Sequence, residues 1–233
     1  MVGSVSITMP RSSSQTQRLT LMKRIGLALS VFVAAGVWLY IFPISFDRVQ
    51  PYQGTELTGK ASDFKLTDQN GSVVKLSDFR GRVVILTFMD TKCADTCPLT
   101  AFHFRQAYQQ LESSEKEQVV FIGVNVNIDA SEVADVYEIT QAWRLDEISN
   151  WHFLTGSLDV LQPVWQEYGI GVISSHDTQT SAMTHTPGTY MIDPTGQKRW
   201  YISTPFSAED NPEFALPLSE LLVRHIREIL NEN

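Results

Sequence analysis

Residues 83–111 read VVILTFMDTKCADTCPLTAFHFRQAYQQL, and residues 119–126 read VVFIGVNV. The nearly unbroken apolar runs at 83–89 and 119–126 are typical of strands that are covered on both faces in a parallel sheet. Between them, residues 98–111 space their apolar side chains close to the helical repeat, and Pro98 stands where the first turn of a helix tolerates a missing N–H group. The stretch therefore predicts a strand–helix–strand unit.

The segments on either side of this unit complete an α/β pattern. Residues 64–76 read FKLTDQNGSVVKL, which alternates about Asn70-Gly71 and predicts a β-hairpin, so regular structure is expected to begin at Asp63. Farther along, the pattern predicts a helix at 131–143, a short strand at 151–154, a helix at 158–168, two strands flanking the turn at 194–196 and a final helix at 217–230. Elements in this order predict an α/β fold, a thioredoxin-like sandwich with a central mixed sheet and an N-terminal β-hairpin.

One transmembrane helix is expected before this domain. Residues 25–44 read IGLALSVFVAAGVWLYIFPI, which carries no formal charge and is long enough to cross a bilayer. Basic residues precede it, so the positive-inside rule places residues 1–24 in the cytoplasm and the domain on the extracytoplasmic face of the cell membrane. A cleaved signal peptide has a shorter apolar core of roughly 7 to 15 residues, which favours an uncleaved single-pass anchor. Residues 45–62 are expected to be a linker to the domain at 63–233.

The composition limits the classes of partner. The chain has 233 residues, of which 43% are hydrophobic, so it has enough apolar material for one packed domain besides the anchor. Its formal net charge is −8. Non-specific binding to nucleic acids depends on clustered Lys and Arg, which displace counterions from phosphates. We therefore expect no nucleic-acid partner.

Two cysteines carry the most specific chemistry in the sequence. Cys93 and Cys97 are the only cysteines; three residues separate them, and they lie between a predicted strand and a predicted helix. A thiolate at a helix N-terminus is stabilised by free N–H groups, which lowers its pKa and makes it a better nucleophile and metal ligand. The pair can serve disulfide exchange, a soft-metal site or both. A structural disulfide is also open in an oxidising compartment, although closing so short a loop adds little stability.

The spacing and the residue types favour copper among the metals. Thioredoxin-type redox proteins usually place two residues between their cysteines, and the wider spacing here leaves room for two thiolates to converge on one ion. Thiolates select soft Cu(I), and an added imidazole suits both Cu(I) and Cu(II). A structural zinc site usually has four protein ligands, whereas this sequence has no second pair of cysteines.

The C-x-x-x-C-P block at 93–98 follows an apolar strand, and a late histidine, His185, stands five residues before an aromatic strand residue. This combination resembles the Sco/SenC family of thioredoxin-like copper proteins over roughly residues 63–233. The resemblance implies that Cys93, Cys97 and His185 bind copper, as Cu(I) or Cu(II). It also implies a metallochaperone that assists assembly of the copper centre of cytochrome c oxidase. The partner would be the copper-centre subunit of that oxidase or another thiol or copper protein.

Some positions depart from the family pattern. Lys92 replaces a histidine that is common before the first cysteine, and Met89-Asp90 replace small or aromatic residues. Residues 186–193, TPGTYMID, resemble the cis-proline loop of membrane-tethered thioredoxin-like oxidoreductases, in which the proline lies against the dithiol. These features favour, as an alternative, an extracytoplasmic thiol-disulfide oxidoreductase with Cys93 and Cys97 as its redox pair. A non-catalytic adaptor with a structural disulfide is the second alternative.

The other four histidines are weaker candidates as ligands. Single histidines in helices or strands usually have structural roles, and we expect this of His103, His152 and His225. His176, in the segment SSHDTQT, is the best substitute if His185 is not the third ligand.

Overall fold

The computed structural model describes residues 13–41, 52–174, 183–203 and 216–232. The predicted substitute ligand His176 lies outside these residues. The chain divides into two compact units at residues 1–49 and 50–233, and each is described by itself.

The first unit contains one long helix, α1 (Ser13–Ile41), of 29 residues. It begins well before the predicted start at Ile25. Within it, Leu21–Trp38 is long and apolar enough to cross a bilayer by length and composition. The helix could therefore serve as a membrane anchor; the predicted end of the span, at residues 42–44, lies outside the described residues.

The second unit carries the other helices and all the strands of the described residues. The strands are β1 (Thr55–Glu56), β2 (Lys65–Thr67), β3 (Val73–Lys75), β4 (Val83–Met89), β5 (Val119–Asn125), β6 (Trp151–Leu154), β7 (Val172–Ser174), β8 (Met183–His185), β9 (Thr189–Ile192) and β10 (Lys198–Ile202). The helices are α2 (Thr96–Gln110), α3 (Ser113–Glu117), α4 (Val133–Ala142), α5 (Leu158–Glu167) and α6 (Leu218–Asn231).

A six-stranded mixed sheet forms the centre of this unit, in the order β1-β10-β9-β4-β5-β6. β4 pairs in parallel with β5, and β5 in parallel with β6. β4 pairs antiparallel with β9 on its other side. The strands β2 and β3 form the predicted hairpin, and β7 and β8 form a second two-stranded sheet. The thioredoxin-like α/β sandwich predicted from the sequence is confirmed.

Helices and the hairpin cover both faces of β4, whose seven residues are all buried. Alternate side chains of a strand point to opposite faces. On one face, Ile85 shares a buried cluster with Phe104 of α2 and Leu222 of α6. On the other, Leu86 packs in a cluster that includes Leu161 of α5 and the β2–β3 hairpin. Two covered faces explain why residues 83–89 are apolar without alternation.

The expectation that regular structure begins at Asp63 is wrong. Thr55 of β1 pairs with Tyr201 of β10, and Lys60 forms an isolated bridge with Gln197, so residues that were expected to be linker extend the sheet at its edge. An uncovered edge strand leaves backbone N–H and C=O groups unpaired, and this short segment satisfies some of them on β10. A strand of two residues is too short to show a periodic pattern in the sequence.

Candidate metal centre

The two cysteines lie at the junction of β4 and α2. Helix α2 begins at Thr96, earlier than the predicted Pro98, because the side chain of Asp95 caps it by accepting the Thr96 N–H. Cys97 is thus in the first turn, and Cys93 precedes the helix. First-turn N–H groups have no partner within their helix. One of them, from Cys97, donates to the sulfur of Cys93 at 3.3 Å.

Several donors surround the sulfur of Cys93, which is half-buried. The Cys97 thiol hydrogen-bonds to it, and this contact, with help from the Thr96 hydroxyl and N–H groups, lowers the pKa of Cys93 to about 6, although burial acts in the opposite direction. In its thiol form Cys93 donates to the carboxylate of Asp95 at 3.2 Å. Near neutral pH the donors prevail, and Cys93 is a thiolate.

The pKa of Cys97 is shifted in the opposite direction. Its side chain is 4% exposed. Its hydrogen bond to the Cys93 sulfur, then its burial and then the negative charge on Cys93 raise the pKa of Cys97 far above its ordinary value. The pair therefore consists of an accessible thiolate and a buried, protonated thiol. A cation bound between the two sulfurs would lower the free energy of the second thiolate, since metal ligation deprotonates thiols.

His185 is the last residue of β8 and approaches the cysteines from another part of the chain. Its Nε2 lies 4.0 Å from the Cys97 sulfur. Its Nδ1 lies 3.1 Å from the Thr186 carbonyl oxygen, which can only accept a hydrogen bond, so the proton is on Nδ1. In the neutral ring Nε2 then carries the lone pair on the side of Cys97, the arrangement of a metal-binding imidazole.

The donor set at this site fits a copper ion. Two sulfurs and one imidazole nitrogen are soft or borderline ligands. Bond lengths known for zinc are about 2.3 Å to sulfur and about 2.0 Å to nitrogen. A sulfur and a nitrogen that bind one ion at these distances, with the roughly 120° angle of a trigonal site, lie about 3.7 Å apart. The 4.0 Å between Cys97 and His185 is close to that separation. Within the described ranges no three His, Cys, Asp or Glu side chains already form a metal-holding group, so the three side chains have to move closer together to share one ion.

The loop after His185 does not have the cis-proline geometry that its sequence resembles. The Thr186–Pro187 peptide is trans. The loop is instead held from the sheet: the Tyr201 hydroxyl donates to the Pro187 carbonyl at 2.6 Å, and Thr87 donates to the Gly188 carbonyl at 3.0 Å. The Tyr201 ring also packs directly on Gly188, where a Cβ would lie 2.3 Å from the hydroxyl oxygen. These contacts fix the loop without a cis bond.

The three histidines that we expected to be structural have polar partners away from the thiols. His103 lies 3.4 Å from the Ser219 hydroxyl, and His152 lies 3.2 Å from the Asp68 carboxylate. His225 is held by Glu228 and by the Gln53 carbonyl. The structure therefore brings His185, among the described histidines, to the cysteine pair.

Two residues of the site were not predicted from the sequence. Thr96 places its hydroxyl 3.4 Å from the Cys93 sulfur. Asp90 is fully buried beside the cysteine loop, where its carboxylate accepts N–H groups from three segments. The only sequence signal for Asp90 is a charged residue at the end of an apolar strand, a position that the resemblance marked as unusual.

Comparison with known proteins agrees with this fold. A family model described as SCO1/SenC matches residues 53–214. The mitochondrial SCO2 homolog of Bos taurus is 29% identical over 198 residues, which cover 80% of this chain and 72% of that protein. Apo Sco1 of Thermus thermophilus has a TM-score of 0.61 and 25% identity, over 78% of this chain and 98% of that one. Bradyrhizobium japonicum ScoI, solved with copper bound, shares the fold with a TM-score of 0.57 and 20% identity, over 73% and 99% of the two chains. The family model spans most of the domain and both cysteines together with His185, and the chain belongs to the SCO1/SenC family.

Proposed function

We propose that this protein is a membrane-anchored, copper-binding metallochaperone that assists assembly of the copper centre of cytochrome c oxidase. The observation that supports the proposal is the approach of His185 to the cysteine pair, with 4.0 Å between the Cys97 sulfur and His185 Nε2. Sco proteins are described as cytochrome c oxidase assembly proteins, and ScoI of Bradyrhizobium japonicum holds copper. The apolar stretch Leu21–Trp38 supports a membrane anchor, with the N-terminus in the cytoplasm and the domain on the other side.

The three side chains have different parts in binding. Cys93 is already a thiolate near neutral pH and offers the first sulfur. Cys97 gives up its proton as the cation binds, because its pKa in the metal-free pair is raised by its neighbour and by burial. His185 adds a neutral nitrogen donor. Two thiolates and a neutral imidazole balance the charge of Cu(II) and leave one negative charge on a Cu(I) site.

Copper retention by the full-length chain in detergent tests this proposal. The reduced protein is mixed with Cu(I) without oxygen, desalted and analysed for bound metal. We expect about one copper per wild-type chain, none after Cys93→Ala or Cys97→Ala, and weaker retention after His185→Ala. His152→Ala is the matched control, since His152 is bound to Asp68 away from the thiols. Failure of the reduced wild type to retain copper would reject the metallochaperone.

Thiol-disulfide exchange is the second candidate function, and the lowered pKa of Cys93, about 6, favours it. The Cys93 thiolate attacks a partner disulfide, forms a mixed disulfide and releases one partner thiolate. Cys97 loses its proton and attacks the Cys93 sulfur, which releases the second thiolate. Two electrons pass to the partner, and Cys93 and Cys97 end as a disulfide.

The reactions of His185→Ala separate the two functions. Exchange needs only the cysteines, so this variant should reduce a model disulfide about as fast as the wild type while it retains less copper. A Cys93–Cys97 bridge that resists reduction in the folded protein would favour the adaptor with a structural disulfide instead.

A further inference from the structure

Asp90 follows the last residue of β4 and is 0% exposed. Its Oδ1 accepts the Lys92 N–H at 2.7 Å and the Asn127 side-chain amide at 2.6 Å. Its Oδ2 accepts the Met183 N–H. Both oxygens therefore accept from N–H donors, which is how a buried carboxylate is stabilised.

These three donors belong to three separate segments that meet at the site. Lys92 immediately precedes Cys93, and Met183 begins β8, which ends at His185. Asn127 follows β5, the strand next to β4. The main chain of Asp90 takes part as well, since its carbonyl accepts the Cys93 N–H at 3.1 Å. One residue thus touches both the cysteine loop and the strand that carries the histidine.

Strand β8 needs such a connection. It pairs with β7 in a separate two-stranded sheet, so the hydrogen-bond ladder of the six-stranded sheet does not set its position. Burying a carboxylate also carries a large desolvation cost, which an apolar residue at the end of β4 would not have. The charged residue at this position is explained by the hydrogen bonds that it makes to both sides.

We propose that Asp90 is a positioning residue that ties the β7–β8 hairpin to the cysteine loop and so sets the separation between His185 Nε2 and the Cys97 sulfur. The tie is a property of the protein without metal. Its consequence for copper binding rests on the proposed function. The tie and its effect on copper binding can be tested separately in the same set of variants.

Asp90→Asn should break the hydrogen bond from Met183 and keep the other two. The single amide oxygen of asparagine can keep the Lys92 and Asn127 bonds, while its NH₂ group faces the Met183 N–H and cannot accept it. Amide-resolved hydrogen exchange on the metal-free full-length chain should show Met183 exchanging about tenfold faster or more, with Lys92 little changed. Unchanged protection of Met183 would overturn the proposal.

Asp68→Asn is the matched control for the loss of a buried carboxylate. Asp68 is 3% exposed and accepts N–H groups from Asn70 and Ser72 in the β2–β3 turn. Both bonds are made to one oxygen, which the amide of asparagine retains, so this variant should leave the turn amides and Met183 protected. If Asp90→Asn does not fold, Met183→Pro removes the donor at the other end of the tie, at the first position of a strand, where proline is tolerated, and the exchange of the Thr184 and His185 amides, which should become faster, replaces the Met183 measurement.

Copper affinity, measured in a double-mutant cycle, tests the consequence for the site. Asp90→Asn should weaken binding about 10- to 100-fold, as is common for residues that orient metal ligands. In the His185→Ala background it should change binding by less than about threefold, because the ligand that it positions is gone. Equal effects in both backgrounds would show that Asp90 acts only on general stability. If the wild type binds no copper, the proposed function fails, and the exchange data still decide the role of Asp90.

Discussion

The cysteine loop and the β7–β8 hairpin contribute to the same site but are held in different ways. Cys97 belongs to the first turn of α2, a helix that packs through Phe104 on the central strand β4. His185 belongs to a two-stranded sheet outside the central one, and reaches the thiols through Asp90 and the loop at Gly188. The thiols are therefore part of the core architecture, while the position of the proposed third ligand, His185, depends on a few contacts. Substitutions that disturb one side at a time separate the two.

The largest effect is expected from the packing under the cysteine helix. Phe104 is 0% exposed, and Phe104→Ala should lower the free energy of unfolding by about 3–5 kcal/mol, because it leaves a cavity between α2 and the sheet. Phe102→Ala, on the same helix at a position 43% exposed, should change it by less than about 0.5 kcal/mol. Urea unfolding monitored by circular dichroism measures both. Equal losses would contradict the assignment of α2 to the core.

An intermediate effect is expected on the histidine side. Gly188→Ala places a Cβ against the Tyr201 ring, and relieving that overlap should cost about 1–3 kcal/mol and displace the loop after His185. Copper retention should fall, while the reactivity of Cys93 with iodoacetamide stays near that of the wild type. Gly171→Ala is the control, since its Cβ would meet the nearest atom at an ordinary 3.6 Å. A loss of Cys93 reactivity in Gly188→Ala would show that the two sides are not separable.

The smallest effect concerns the charge on Cys93. Its pKa of about 6 lies below the usual value near 9, so between these values the folded chain holds a thiolate where the unfolded chain holds a thiol. Cys93 therefore contributes stability that is full above about pH 9 and is lost as the pH falls through about 6. Iodoacetamide labelling of wild-type Cys93 should be half-maximal near pH 6.

Thr96→Val removes the hydroxyl that lies 3.4 Å from the Cys93 sulfur, so the pKa of Cys93 should rise toward its ordinary value. Labelling at a pH near the wild-type pKa should slow by about two- to tenfold, the range expected for one hydrogen bond. Thr96→Ser keeps the hydroxyl and should label at the wild-type rate. A labelling profile that Thr96→Val leaves unchanged would assign the lowered pKa of Cys93 to the Cys97 thiol and the backbone N–H groups.

The cysteine side could be predicted from the sequence because its signals are local. Strand β4 coincides with the predicted apolar run, since both of its faces are covered and no residue between 83 and 89 has to be polar. Strand β6 coincides with the predicted strand at 151–154, since most of its residues are also buried. The earlier start of α2 was missed because it depends on the orientation of the Asp95 side chain.

The histidine side could not be predicted from periodicity. Strands β7 and β8 have three residues each, too few to show an alternating pattern. Cys97 and His185 are 88 positions apart, so their proximity follows from the family resemblance and the fold rather than from spacing. Two partners of Asp90, Asn127 and Met183, come from distant segments, and a buried hydrogen-bond network leaves no regular pattern in the sequence.

The separate β7–β8 sheet bears on how an ion would leave the protein. A carrier has to hold its cargo firmly in transit and then yield it to a recipient. The proposed third ligand, His185, lies on a hairpin outside the central sheet. Withdrawal of its nitrogen would open the proposed copper site while the two sulfurs and the six-stranded sheet stay in place. Transfer to a recipient would then require a hairpin to loosen rather than a domain to unfold.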